Sequence, residues 1–222
     1  MKNLTLLIPT KQEAESLPLV LEELKNFECK KLIVLEESDT ETINSIKKFD
    51  CEILFQKNKG YGSALIEGIN KIETKYTCIF NADGSFDPKY LKQMLNECEL
   101  NLDFVFSSRY SKGGGTEDDT LLTFIGNKIF TAIGNIFFRL KIDDILYTFV
   151  MGQSKSFKSL NLKFFDFRFC IELPILAKKQ SMKYVNMGSF ERKRLKGEKK
   201  VNEFKDGFLI LIGMLTLFFK KN

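Results

Sequence analysis

Short apolar runs recur through the first half of the chain, separated by longer mixed stretches. The runs at 4–8, 32–35, 52–55, 77–80 and 104–106 are mostly apolar, which predicts parallel strands covered on both faces. Between them, 14–27, 41–48, 63–72 and 89–98 are predicted helices. Alternation with short connections predicts a doubly wound α/β sheet. Past residue 110 the rhythm changes. A glycine-rich, charged loop at 111–120 leads into an apolar-rich helix at 121–140 and a strand at 146–151. A phenylalanine-rich stretch, a helix at 171–179 and a strand at 183–187 follow. No repeat, low-complexity tract or linker interrupts this order, so a single domain is expected.

The segment 208–219 is apolar nearly all round. Twelve helical residues cover about 18 Å, against about 30 Å of bilayer hydrocarbon. No run reaches the 18 consecutive apolar residues of a spanning helix. The expectation is a domain at 1–203 and an apolar helix at 204–222, packed on the domain or lying at a membrane interface.

Composition narrows the chemistry. At 44% hydrophobic and 13% aromatic, 222 residues can bury a full core. A formal charge of +5 is too mild to argue for nucleic acid. The absence of histidine excludes histidine bases, triads and metal ligands. Any metal is then held by oxygen, which favours Mg or Mn over Zn. Five cysteines without CxxC spacing read as free buried thiols in a reducing compartment. Met1-Lys2-Asn3 runs directly into the first strand without the apolar stretch of a signal peptide, so a cytoplasmic place is expected, peripheral on the inner face of a membrane if the last helix docks there.

The sharpest signal lies at Cys78-Ile79-Phe80-Asn81-Ala82-Asp83-Gly84, with Pro88 opening the next helix. A carboxylate at the C-terminal end of a central strand sits where open α/β sheets bind ligands, and it can hold a divalent cation against a diphosphate. Pro9-Thr10-Lys11-Gln12-Glu13 allows two readings: a capping box of Thr10 with Glu13, or the rim of a nucleotide pocket. Glu36-Glu37-Ser38-Asp39 supplies a helix cap at Ser38 or Asp39, or a carboxylate for a ribose. Gly60-Tyr61-Gly62-Ser63-Ala64 fits neither a dinucleotide fingerprint nor a P-loop; its small residues permit close backbone approach, with Lys57 and Lys59 as candidate diphosphate contacts. Arg109 is either a phosphate ligand or a salt-bridge partner. Seven Lys or Arg against three Glu between 191 and 205 form a solvated charge run, or a surface for an anionic membrane or phosphorylated lipid.

In order and spacing these segments resemble the family 2 glycosyltransferases of GT-A fold, most of all the polyprenyl-phosphate (dolichyl-phosphate-type) sugar transferases. The resemblance runs from Leu4 to about Val201. It rests on Pro9-Thr10-Lys11-Gln12-Glu13, Gly60 to Ala64, Asn81-Ala82-Asp83-Gly84 with Pro88, Ser108-Arg109-Tyr110, Gly126-Asn127, Asp144, Glu172, and Arg194 with Gly197, Lys199 and Lys200. Departures are Gln12 for an asparagine, Leu35 and Glu36 for two aspartates, Asn81 for the first aspartate of Asp-x-Asp, and Thr148-Phe149-Val150 for Gly-Phe-Arg.

The resemblance implies a mostly parallel GT-A-like (Rossmann-like) central sheet flanked by helices. It implies inverting transfer of a sugar from a nucleotide-sugar donor to a polyprenyl phosphate, with Mg or Mn on Asp83 and Asn81. Pro9, Thr10, Glu13, Glu36, Gly60, Asn81, Ala82 and Asp83 would contact the donor. Arg109, Arg194 and Lys200 would hold phosphate, and Asp83, Arg109 and Asp144 would form the catalytic set. The alternatives are a soluble glycan acceptor, or a degenerate homologue that binds a nucleotide sugar without catalysis.

Overall fold

A computed structural model of the chain describes residues 1–197 and 202–220. Its first half is β1 (Leu4–Pro9), α1 (Leu17–Glu23), β2 (Lys30–Leu35), α2 (Thr40–Ile46), β3 (Glu52–Phe55), α3 (Tyr61–Lys71), β4 (Tyr76–Ile79), α4 (Leu91–Glu99) and β5 (Phe104–Ser108). The second half is β6 (Gly115–Thr116), α5 (Leu121–Phe138), β7 (Val150–Gln153), α6 (Ser154–Ser159), α7 (Phe169–Lys179), β8 (Tyr184–Gly188), β9 (Phe190–Glu191) and α8 (Glu203–Phe219).

Seven strands form one sheet in the order β3-β2-β1-β4-β7-β5-β8, and β6 pairs with β9 apart from it. All pairings in the large sheet are parallel except those of β7, which runs antiparallel to β4 and β5. Alternate side chains of each central strand enter opposite cores. Leu7, Leu32 and Ile79 face the layer of α3, α6 and α7, while Leu6, Ile33 and Cys78 face that of α1, α2 and α4. This two-sided burial explains why the strands show no polar face in sequence. The chain walks outward from β1 to β3, then returns to place β4 on the other side of β1, so a crevice opens between the loops after β1 and β4.

Three expectations change. Thr10 does not cap a helix: its hydroxyl donates to the Ile8 carbonyl, Gln12 turns the chain at φ 53°, and α1 begins only at Leu17, next to Pro18. Helix α5 stops at Phe138 because Arg139 adopts a left-handed conformation. The strand expected at 146–151 is Val150–Gln153, because the residues before it are drawn into a loop held by α5.

Helix α5 is apolar on the outside. Its buried positions are Asn127, Thr131 and Gly134, while Leu121, Leu122, Ile125, Ile129, Ile136 and Phe137 are exposed. By length and composition it is long and apolar enough to cross a membrane. The buried edge is a polar ladder at four-residue spacing. Thr131 accepts the Ile145 amide at 3.2 Å, and Asn135 exchanges two bonds with the Ile142 backbone. Helix α8 lies beside α5 in the same direction, with Gly207 near Phe130, Met214 near Gly134 and Phe218 against Phe137 and Phe138. Phe204, Phe208, Leu215 and Phe219 of α8 remain exposed.

Candidate active site

A cleft of about 530 Å³ opens at the C-terminal edge of the sheet. Pro9, Thr10 and Glu13 enter it after β1, Glu36 after β2, Gly60 at the start of α3, Asn81, Ala82 and Asp83 after β4, and Arg109 after β5. Asn202, Lys205 and Asp206, at the start of α8, close its rim. Among the predicted site residues, Arg194 also lines the cleft and Asp144 does not; Lys200 lies outside the described residues.

At the centre is the turn after β4. Asp83 Oδ1 accepts the Ser85 amide at 2.9 Å, and Oδ2 lies 3.2 Å from Arg194 Nη2. The Asn81 side-chain amide donates to Ser85 Oγ at 3.1 Å. The segment 191–197 crosses this turn as a strap. Phe86 bridges to Glu191, the Arg192 amide donates to the Ser85 carbonyl, and the Leu195 amide donates to the Asp83 carbonyl. Gly84, at φ +81°, lets the Leu195 side chain close down, since a Cβ there would come within 2.5 Å of it. The turn fits a hard divalent cation: it offers carboxylate and amide oxygens, and a guanidinium already stands on Asp83 as a cationic partner. No cluster of three or more acidic or cysteine side chains with metal-binding spacing exists among the described residues. Asp83 and Asn81 are the oxygen-bearing side chains of this turn that would hold Mg or Mn, with the other coordination positions left to further oxygen ligands.

Arg109 is not directed at open space. Its Nε and Nη2 grip Asp144 at 2.7 and 3.0 Å, and Nη1 reaches Asp119 at 3.0 Å and Glu191 at 3.2 Å. Burial alone would lower the guanidinium pKa, but Asp144, Glu191 and Asp119 outweigh it and raise it well above its ordinary value. Burial likewise pushes the Glu191 carboxyl up, and Arg109 offsets only part of that. Asn127 on α5 donates to Asp144 Oδ1 at 2.5 Å, so the inward edge of α5 fixes the aspartate that fixes Arg109. Tyr147 stacks under the guanidinium, 4.8 Å from ring centre to Arg109 Cζ, and contributes to the cleft wall.

The glycines after β3 serve close approach. A Cβ on Gly60 would fall 2.1 Å from the Phe165 carbonyl oxygen, and one on Gly62 2.1 Å from that of Phe164. The loop they touch is anchored by Glu172, whose Oε2 accepts the Lys163 and Phe164 amides at 2.9 and 2.8 Å. Tyr61 stacks on Phe167 and bonds Thr148 at 2.8 Å, and all three line the cleft. Lys59 pairs with Glu36 at 3.4 Å, and neither it nor Lys57 lines the cleft. In the loop after β1, Ser16 donates to Glu13 Oε2 at 2.6 Å, and Asp39 caps α2 while accepting the Gln12 amide.

Several cleft residues carried no signal in the sequence. Asp119 and Glu191 sit in charged runs that read as solvated, and they meet Arg109 only through the fold. Tyr61, Tyr147 and Phe167 look like ordinary core aromatics. The recurrence of Asn127, Thr131 and Asn135 at four-residue intervals in an otherwise apolar helix was the one readable hint of the ladder behind Asp144.

Comparison with known proteins agrees with this architecture. The family profile described as "Glycosyl transferase family 2" matches residues 5–161. An uncharacterized glycosyltransferase of Mycobacterium bovis is 28% identical over 110 residues, and so is its counterpart in two Mycobacterium tuberculosis strains. The chain spans about half the length of these curated relatives, and the match covers 50% of each sequence. Among solved structures, glucosyl-3-phosphoglycerate synthase from Mycobacterium tuberculosis is similar over 100% of this chain. In complex with Mn²⁺, uridine diphosphate and glucosyl-3-phosphoglycerate it aligns with a TM-score of 0.75, 11% identity and 81% of that chain covered. In complex with phosphoglyceric acid the values are 0.76, 10% and 81%. At such identities the likeness shows the fold, GT-A, alone.

Proposed function

The chain belongs to glycosyl transferase family 2, and on that premise we propose that it moves a sugar, with inversion, from a nucleotide-sugar donor to a phosphate-bearing acceptor. One observation carries the reading. Asp83 lies in the turn after β4, the strand next to β1, paired with Arg194 inside a cleft that also gathers the loops after β1, β2 and β5. Pro9, Thr10, Glu13, Glu36, Gly60 and Ala82 form the nucleotide side. Asp83 and Asn81 would hold Mg or Mn with the donor diphosphate. The ion, when bound, stabilises the leaving nucleoside diphosphate. Arg194 adds positive charge to the diphosphate or the acceptor phosphate, and Lys200 joins it on sequence grounds.

Arg109 is assigned a positioning role. Three carboxylates engage its side chain, so it locks the floor of the cleft rather than offering a fork to phosphate. The acceptor divides into two classes. A soluble phosphorylated acceptor is the first reading, supported by the phosphoglyceric acid bound in structural neighbours of the same fold. A hydroxyl nucleophile of that kind needs a base, and Asp118 or Asp166 in the cleft can supply one. A polyprenyl phosphate is the second reading, favoured by the outward apolar faces of α5 and α8, which start at the cleft rim. Those faces would then rest on a bilayer surface, and an anionic phosphate nucleophile would need no base.

A thermal-shift screen of nucleotide sugars with Mn²⁺ tests the reading. A donor at a hundredfold its dissociation constant stabilises by about 2.7 kcal/mol. Stabilisation by no nucleotide sugar sinks the proposal. Stabilisation without turnover over either acceptor class makes the protein a binding homologue.

A further inference from the structure

We propose that Arg194 is a placeholder cation: it neutralises Asp83 until a divalent ion arrives with a diphosphate, then transfers its pairing to that diphosphate. The inference rests on the reading of Asp83 as a metal ligand. Both oxygens of this carboxylate are engaged, Oδ1 by the Ser85 amide and Oδ2 by the Arg194 guanidinium. Both side chains are mostly buried, at 13% and 18% exposure, so the pair is poorly screened by water. A divalent ion on Oδ2 and a guanidinium on Oδ2 repel each other, and they compete for the same lone pairs.

The strap makes the exchange local. The Leu195 amide on the Asp83 carbonyl and the Arg192 amide on the Ser85 carbonyl pin the backbone on both sides of Arg194. Leu195 packed over Gly84 adds a third tie. Rotation of the Arg194 side chain then suffices, and the guanidinium stays over the cleft. The protein offers one carboxylate and one amide at the turn, so an ion arriving alone must displace Arg194 with little compensation. An ion arriving with a diphosphate brings charge that satisfies both cations. Arg194 therefore discriminates against the bare metal and in favour of the metal–diphosphate complex, which couples metal loading to donor binding.

The test uses Mn²⁺ alone and Mn²⁺ with inorganic pyrophosphate, followed by the electron paramagnetic resonance signal of free Mn²⁺. Arg194→Ala and Arg194→Gln, checked by circular dichroism, should bind Mn²⁺ alone about three- to tenfold more tightly than wild type, the worth of a partly buried ion pair. The same variants should bind Mn–pyrophosphate more weakly, and Asp83→Asn should lose Mn²⁺ binding in either background. A merely structural Arg194 would not produce effects of opposite sign. Mn²⁺ affinity equal to or below wild type in both Arg194 variants, with Asp83 dependence intact, overturns the placeholder role and leaves the metal site standing. Pyrophosphate binding no weaker in the variants overturns the transfer. Mn²⁺ binding that never depends on Asp83 overturns both the inference and the site it rests on.

Discussion

Arg109 Nε donates to Asp144 Oδ2 over 2.7 Å, and the Asp144 side chain is fully shielded from solvent. Asp144 does not face the cleft; it holds the residue that does. Breaking a buried pair from one side is costly because the other charge is left without its partner. Asp144→Asn should destabilise the protein by about 3 kcal/mol in urea denaturation. A loss under about 1 kcal/mol would mean that Asp119 and Glu191 suffice for Arg109. Arg109→Lys should be nearly as damaging, since an ammonium cannot reach three carboxylates in a fixed fork.

Gly62 offers a test of the cleft wall. An added Cβ meets the Phe164 carbonyl at 2.1 Å and the Asp166 carbonyl at 2.8 Å, both backbone atoms. Gly62→Ala should cost about 1–3 kcal/mol and weaken donor binding, because Asp166 and Phe167 of the displaced loop line the cleft. A neutral variant would show that the loop moves freely.

The cleft edge formed by the loops after β1, β3 and β4 was legible because its signals are local. An apolar run that stops just before Asn81, a proline at 88 and glycines at 60 and 62 each state their conformation within a few residues. The doubly wound half followed from strands buried on both faces. The misses are non-local. Val150–Gln153 enters between β4 and β5 and runs antiparallel to both, which no property of the segment announces. For Arg109 the sequence left a phosphate ligand and a salt-bridge partner both open, because its carboxylate partners lie 10, 35 and 82 positions away. Thr10 and Glu13 matched a capping box in spacing, yet Gln12 adopts positive φ and the helix starts later.

Burial raises the carboxyls of Glu172 and Glu191. A carboxyl held above its ordinary value binds more protons folded than unfolded. Its contribution is fully present below the unfolded value of 4.5 and fades as pH rises through the higher folded value. Glu172→Gln keeps an oxygen for the Lys163 and Phe164 amides and removes the titration. Wild type should therefore lose stability relative to Glu172→Gln as pH climbs from 4.5 to neutral. Parallel stability curves in denaturant at stepped pH would contradict the assignment.

Ile136 and Phe208 are exposed, at 70% and 65%. Ile136→Asp with Phe208→Asp should change stability by no more than about 0.5 kcal/mol per site. Under the lipid-acceptor reading, wild type sediments with anionic vesicles and the double variant does not. Wild type that stays in the supernatant favours the soluble acceptor.

The central claim is that Asp83 is the residue on which donor chemistry turns. Its most direct test is Mn²⁺-dependent release of nucleoside diphosphate from the donor found by screening, in wild type and Asp83→Asn, with circular dichroism to confirm the fold. Loss of a metal ligand at the leaving group should lower the rate by about a hundredfold or more with the fold intact. A folded Asp83→Asn within about threefold of wild type, a difference under about 1 kcal/mol in the barrier, would contradict the account.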